Sequence, residues 1–472
     1  MKWSLLPGVA AVAAMLPAAA GMTLNVADKA SVGAMVGGVA KQLMTYYPPN
    51  NYGAVPQNGR SDKTGVQWYE SGIFFGAMME YSRVANDGQH LPTVVYALYN
   101  ASYGPVMSFL GSNEAIAATL LGRWNDDILW WGLAPLTGAE IFGKDTIMMD
   151  KGTYSKLAVN TYLSSWSQWD ATTCGGGVYW SRDRTASGNR GTYKSTITNV
   201  QQLLMSGRLA VLTGNSTYTS IGAQLYTWLK TIGIVTPTWH VYDGGNAPTC
   251  LPLNTNELSY NIGVLIGGLA WMFKATGDAS YDADAASLLT VALELFAPNG
   301  VIADACEATA SCKANEVSQK GTMIRGLMYL HMHTANATVK STIEKVIDAS
   351  ATSMASLACD SSWNCGNTWA GTNAAVSIDF HSQLNSLELA NAVASIHGAS
   401  GIPGATALTN PFDGTSGSSG SGTGSGSGSS SGSGSSSSSK NAAAGTAPGS
   451  LWMFAAAGAT VAAVSVGSML LV

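Results

Sequence analysis

Trp124-Asn125-Asp126-Asp127-Ile128-Leu129-Trp130-Trp131 reads as the opening of a helix. Asn125 or Asp126 can cap the first turn, and Asp127 sits where the helix dipole favours an acid. An apolar run follows. The same arrangement, a polar opening and an apolar continuation, returns along the chain. Candidate helices begin near Ser31, Ser71, Leu91, Asp127, Met148, Asn199, Tyr218, Glu257, Tyr281, Ser318, Val339 and Ser382. Most carry apolar residues at i, i+3 and i+4, while strand-like alternation is scarce. Asn199 with Gln202, before Leu203 and Leu204, fits a capping box. Tight turns at Asn86-Asp87-Gly88, Gly214-Asn215, Gly277-Asp278 and Ala335-Asn336 join the helices in pairs. The first member of each later pair recurs about every 60 residues, the mark of repeated helical hairpins. Closed in a ring, alternate helices would form an inner and an outer layer. The expectation is an all-α barrel of about twelve helices in two concentric layers.

In such a ring the short turns fall at one end and the long loops at the other. The long loops hold most of the unusual residues: Trp68-Tyr69-Glu70, Asn125-Asp126-Asp127, the 194–199 segment, the 256–261 segment, Gln319-Lys320 and the 381–388 segment. Six loops on one face would converge on one cleft. Capping accounts for the Asp and Asn residues, but not for Trp68, Lys194 or Lys320. Capping likewise explains one acid of Asp126-Asp127, but not the second together with its tryptophans. Paired carboxylates are the machinery of glycoside cleavage, and flat aromatic faces suit sugar rings.

Composition narrows the ligand. Charged residues are 11% of the chain, the formal net charge is -5, and there are 14 Trp and 18 Tyr. A low Lys+Arg count argues against nucleic acid. Few charges and many aromatics suit a neutral, ring-shaped ligand. The six histidines and the thiols are scattered, so neither a metal nor a cofactor is expected.

Both ends carry targeting signals. Lys2, the apolar 5–16 segment and Ala18-Ala19-Ala20 make a secretory signal peptide over 1–20. An even six Cys in a secreted chain favours disulfides. The short gaps Cys306…Cys312 and Cys359…Cys365 suggest two local loops, leaving Cys174 with Cys250, among fifteen connectivities. Asn100, Asn215 and Asn336 head N-glycosylation sequons at or beside expected helix ends. The folded domain is expected over 21–400 and a flexible stalk over 401–440, with 414–439 almost entirely Ser and Gly. That serine- and glycine-rich run reaches about 25–30 Å as a random coil. The 441–472 segment reads as a GPI attachment signal with Asn441 as attachment residue. The 451–472 stretch, which is without a charge, would be removed. The expected location is the outer face of the plasma membrane and the cell wall.

Five segments then resemble glycoside hydrolase family 76, the α-1,6-mannanase family, and within it the fungal GPI-anchored, wall-remodelling branch. They are Asn125-Asp126-Asp127-Ile128-Leu129-Trp130-Trp131, Cys174-Gly175-Gly176-Gly177-Val178-Tyr179-Trp180, Lys194-Ser195-Thr196-Ile197-Thr198-Asn199, Leu258-Ser259-Tyr260-Asn261-Ile262-Gly263 and Gln383-Leu384-Asn385-Ser386-Leu387-Glu388. They follow the family's order and span about 68–388. Ile262, where Gln is common, and Tyr69, where a second Trp is usual, depart from it and bear on subsite preference. The resemblance implies an (α/α)6 barrel and a retaining mechanism, with Asp126 as nucleophile and Asp127 as general acid/base. Retention needs carboxyls about 5–5.5 Å apart, which neighbours at a helix start can meet. Two like charges so close raise one pKa.

Trp68, Trp130, Trp131 and Trp180 are candidate stacking platforms. Asn125, Asn199, Tyr260 and Asn261 are candidate hydroxyl binders. Lys194 and Lys320 are candidates for an anionic group, such as a phosphate on a GPI glycan. The implied partners are an α-mannan or GPI-glycan substrate and a wall glucan acceptor, met by a monomer. A non-catalytic glycan-binding wall protein is one rival reading. A helical-barrel lyase using His381 with Lys320 is another.

Overall fold

The computed structural model describes residues 21–47, 53–55, 66–102, 107–109, 124–148, 152–309, 311–312, 319–370 and 378–412. Twelve α-helices run through them: α1 Lys29–Met44, α2 Trp68–Ala85, α3 Leu91–Ala101, α4 Asn125–Phe142, α5 Tyr154–Trp166, α6 Thr196–Thr213, α7 Ser216–Thr231, α8 Ser259–Thr276, α9 Ala279–Phe296, α10 Gln319–His333, α11 Ala337–Ala358 and α12 Phe380–His397. Asp28, Ser195, Asn215, Asp278, Asn336 and Asp379 cap six of them, each accepting a first-turn backbone N–H on its side chain. Left-handed residues Asn86, Gly214 and Gly277 close α2, α6 and α8 at the expected tight turns.

The helices close the expected ring. The even-numbered helices pack α2 on α4, α4 on α6, α6 on α8, α8 on α10, α10 on α12, and α12 back on α2. Each odd-numbered helix packs outside one or two of them. Burial follows the layers. Every residue of α6 from Thr196 to Ala210 is buried, and every residue of α12 from Phe380 to Ala394. Outer helix α7 buries only the stripe Gly222, Leu225, Tyr226, Trp228 and Leu229. The closest inner approach is between α8 and α10. A Cβ built on Gly326 would lie 1.9 Å from the Gly263 carbonyl oxygen, so only glycine fits.

Three sequence expectations need correction. Met148 does not open a helix. Ile147–Met148 (β1) pairs antiparallel with Gly152–Thr153 (β2), and Thr153 caps α5 a turn later. Asn199 is not a cap. It lies inside α6, whose cap is Ser195, accepting the Thr198 N–H. Neither Asn125 nor Asp126 caps α4, because the cap position is Trp124, whose backbone N–H is taken by Asp127.

The three disulfides Cys174–Cys250, Cys306–Cys312 and Cys359–Cys365 form as expected. Asn100 lies in the last turn of α3, while Asn215 and Asn336 are exposed at the starts of α7 and α11. Among the described residues no helix is long and apolar enough to cross a membrane. The 1–20 segment, the 413–472 segment and Asn441 lie outside the described residues.

Candidate active site

The acid pair opens α4, and the chain around it is pinned by backbone bonds. The Asn125 N–H donates to the Trp180 carbonyl at 3.0 Å, and its side-chain amide to the Tyr179 carbonyl at 2.7 Å. The Trp180 N–H donates to the Tyr193 carbonyl at 2.8 Å. Tyr193 starts β3 (Tyr193–Ser195), which pairs antiparallel with β4 (Gly244–Asn246). Asp243, one residue before β4, is tied by its backbone to Thr196 and Asn254. The first turns of α4, α6 and α8 are thereby fixed around one cleft of about 390 Å³. Its lining includes Asp126, Trp180, Arg190, Tyr193, Asp243, Asn254 and Tyr260.

The Asp126 carboxylate is oriented by a neighbouring indole. The Trp180 indole N–H donates to Oδ2 at 2.9 Å, while Oδ1 is buried with no hydrogen-bond partner among the described residues. The Trp124 ring stacks on Trp180 at 4.6 Å and fixes that indole. Burial pushes the Asp126 carboxyl up to about 6, against the lowering pull of the indole and the helix-start amides, and the Asp243 charge adds to the rise. Asp127 is buried beside it, with Oδ2 accepting the Trp124 N–H at 3.4 Å. Asp243 accepts from the Tyr193 hydroxyl at 2.7 Å, the Asn254 amide at 3.0 Å and the Asn261 amide at 3.1 Å. Burial, then Asp243 and Asp126, drive the Tyr260 phenol well above its ordinary value, so it stays a neutral donor. A carboxylate lining the cleft, a second buried acid one residue on, and an aromatic wall suit displacement at a sugar carbon.

The site is narrower than six converging loops. Asp126, Trp180 and Tyr260 line the cleft as expected. Trp131 does not: it is fully buried, stacks on Trp68 at 5.1 Å and donates its indole N–H to the Trp68 carbonyl. Trp130 is buried too. The Trp68–Trp131 stack ties α2 to α4, and among the described residues lining the cleft none of the three appears. Asn125 and Asn199 are buried latches. Asn125 accepts from Arg182, and Asn199 exchanges bonds with both backbone groups of Val178. Asn261 meets the cleft only through Asp243.

Both lysines belong to the frame. The Lys194 ammonium is buried on the carbonyls of Asp170, Thr173 and Gly176, with the Asp170 carboxylate at 3.5 Å. Burial lowers it to about 8. Lys320 is buried against Glu307 at 2.9 Å and over the Trp369 ring at 3.8 Å. An ammonium so enclosed has no bond left for a ligand. Replacing Lys194 by Gln should therefore cost about 3 kcal/mol of stability, as Asp170 and the carbonyl cage lose their charge. Equilibrium denaturation checks this; a stable Lys194→Gln protein with a raised KM would restore the ligand role. His381 is taken likewise, buried on Glu70 at 3.0 Å, which leaves the lyase reading without its base.

Sequence reasoning missed Asp243, Tyr193, Asn254, Arg190 and Trp124. One signal was present. Asp243-Gly244-Gly245 places an acid before two glycines shortly ahead of Cys250, in a chain with only 28 acidic residues.

A family model described as Glycosyl hydrolase family 76 matches residues 31–400. The mannan endo-1,6-alpha-mannosidase DCW1 of Eremothecium gossypii is 28% identical over 326 residues, covering 67% of this chain and 69% of that one. The crystal structure of Dfg5 from Chaetomium thermophilum, in complex with glucosamine, superposes with a TM-score of 0.69 at 25% identity, over 83% of this chain and 97% of that one. An inactive double-aspartate variant of an α-1,6-mannanase from Salegentibacter sp., bound to α-1,6-mannotriose, shares the fold with a TM-score of 0.63 at 18% identity, over 77% of this chain and 99% of that one.

Proposed function

The chain belongs to glycosyl hydrolase family 76, and from that premise we propose how its site works and where the protein stands. The enzyme is a glycoside hydrolase of the mannan endo-1,6-α-mannosidase kind, of the fungal wall-protein branch. Asp126 is the nucleophile. Its carboxylate, oriented by the Trp180 indole N–H, attacks the anomeric carbon. Asp127 protonates the leaving oxygen and then activates the incoming hydroxyl, so configuration is retained. The observation that carries this reading is the Asp126 carboxylate lining the cleft, oriented by the Trp180 indole and followed by a second buried acid. Tyr193, Asp243, Asn254 and Tyr260 supply the donors and acceptors for sugar hydroxyls. If the incoming hydroxyl belongs to a wall glucan, the same chemistry transfers the glycan instead of hydrolysing it.

The test incubates the secreted protein with an α-1,6-mannooligosaccharide, with and without a β-1,3- or β-1,6-glucan acceptor, and reads products by mass. Shortened mannosides mean hydrolysis and mixed oligosaccharides mean transfer. No product in either tube defeats the reading in favour of a glycan-binding wall protein.

The 1–20 signal, the Ser/Gly stalk and the 441–472 signal would deliver the enzyme to the outer membrane face on a GPI anchor. Deleting residues 451–472 should release the protein into the medium, measured as the secreted fraction on a blot. Retention with the membrane would refute the anchor.

A further inference from the structure

With both lysines committed to the frame, the cleft holds a different cation. Arg190 is exposed at its rim, while Asp126 and Asp243 lie half-buried within it. The guanidinium is placed, not adrift. Nε donates to the Ser187 carbonyl at 2.8 Å and Nη2 to the Ser187 hydroxyl at 2.9 Å. Its carbon lies 5.6 Å from the Trp124 ring, which stacks on the Trp180 that holds Asp126. A guanidinium has five N–H donors. Ser187 takes two, and the rest have no partner among the described residues. No carboxylate there pairs with Arg190, although Arg83, Arg208 and Arg325 each have one.

We propose that Arg190 reads a phosphate ester on the glycan. This rests on the mannoside reading above and narrows its substrate class. Two adjacent anionic oxygens match the open side of the fork, and a planar, weakly hydrated cation suits them better than a lysine. The site's other charges make the choice directional. Asp126 and Asp243 repel an anion from the floor, so the phosphate stays at the rim and the neutral mannose linkage is left over Asp126. The pair of charges therefore sets both register and preference.

The test uses α-1,6-mannotetraose and the same oligosaccharide carrying a 6-phosphate on one terminal mannose. Turnover is measured for the full-length secreted protein, for Arg190→Gln and for Arg190→Lys. Binding is measured by calorimetry in the Asp126→Asn background, which does not turn over. The parent should prefer the phosphorylated chain. Arg190→Gln should lower that preference about tenfold, the equivalent of about 1.4 kcal/mol. Arg190→Lys should keep part of it, and 0.5 M salt should erase most of it. An unchanged preference in Arg190→Gln overturns the proposal, as does an equal loss on both oligosaccharides, which would make Arg190 a support for Trp124 only. If the parent binds both but cleaves neither, the enzymatic reading fails while the binding preference still decides Arg190. If neither binds, both fall.

Discussion

Asp126→Asn should abolish turnover and stabilise the protein. The loss in kcat is expected to be at least about 10³-fold, because the covalent step has no other nucleophile. The gain comes from the same burial that tunes the carboxyl. An acid whose folded pKa is raised stabilises the fold only while protonated. With a folded value of about 6, that contribution is complete below about pH 4 and lost as pH rises through 6. At pH 7 the parent thus holds an ionised, poorly solvated Asp126 that the amide replaces by a neutral group. The side chain keeps a partly exposed face in the cleft, which trims the benefit to on the order of 2 kcal/mol at pH 7, vanishing near pH 3.5. Denaturation of both proteins at the two pH values measures it. The same ionisation should give kcat/KM an acid limb near pH 6, falling tenfold per unit below it. A variant less stable at pH 7 would make Asp126 a structural cap, and an active variant would move the chemistry elsewhere.

That opposition explains which parts of the sequence were legible. Helices announce themselves locally, through caps such as Asn215 and Asp278 and through apolar spacing, so the ring of twelve could be counted. The 148 start failed because a β-bridge to residues 152–153 is a non-helical contact that period alone does not encode. The acid pair was legible because two carboxylates beside tryptophans are rare in so uncharged a chain. The misread residues share a cause. Asn125, Lys194 and Asn199 lie within the family segments and Lys320 opens α10, yet each is buried on backbone carbonyls or a carboxylate from a distant loop. Polarity in sequence does not distinguish a side chain facing a ligand from one satisfying a buried loop. Asp243 was missed for the converse reason, since its partners Tyr193, Asn254 and Asn261 meet it only after β3 pairs with β4.

The least legible feature lies along the barrel axis. Glu80 of α2, Thr137 and Glu140 of α4, Arg208 of α6 and Tyr329 of α10 form one buried network. Arg208 grips Glu140 with two bonds of 2.8 Å and reaches Thr137 at 2.7 Å and Tyr329 at 3.3 Å. Glu80 accepts from Tyr329 at 2.6 Å, from Thr137 at 2.9 Å and from Arg83 at 2.8 Å. A second pair, Arg325 with Glu388, ties α10 to α12 and reaches the Ile73 carbonyl of α2. Burial alone would raise the Glu80 carboxyl, but Arg83 and Arg208 hold it near 2. Arg208→Ala should therefore cost about 3–5 kcal/mol, because it leaves two carboxylates in the core short of their counter-charge. The parent's Glu80 contribution is present above about pH 4.5 and lost as pH falls towards 2, so the variant's deficit should shrink over that acid window. Glu140→Gln combined with Arg208→Met should cost less than the two single changes added together, by about 1–3 kcal/mol, since the pair removes Glu140 together with the guanidinium that holds it while Glu80 keeps Arg83. Chemical denaturation of the four variants, Arg208→Ala, the two single changes and their combination, at pH 7 and pH 3 decides it. Additive losses, independent of pH, would mean that these side chains fill space between the inner helices and that their charges cross-link nothing.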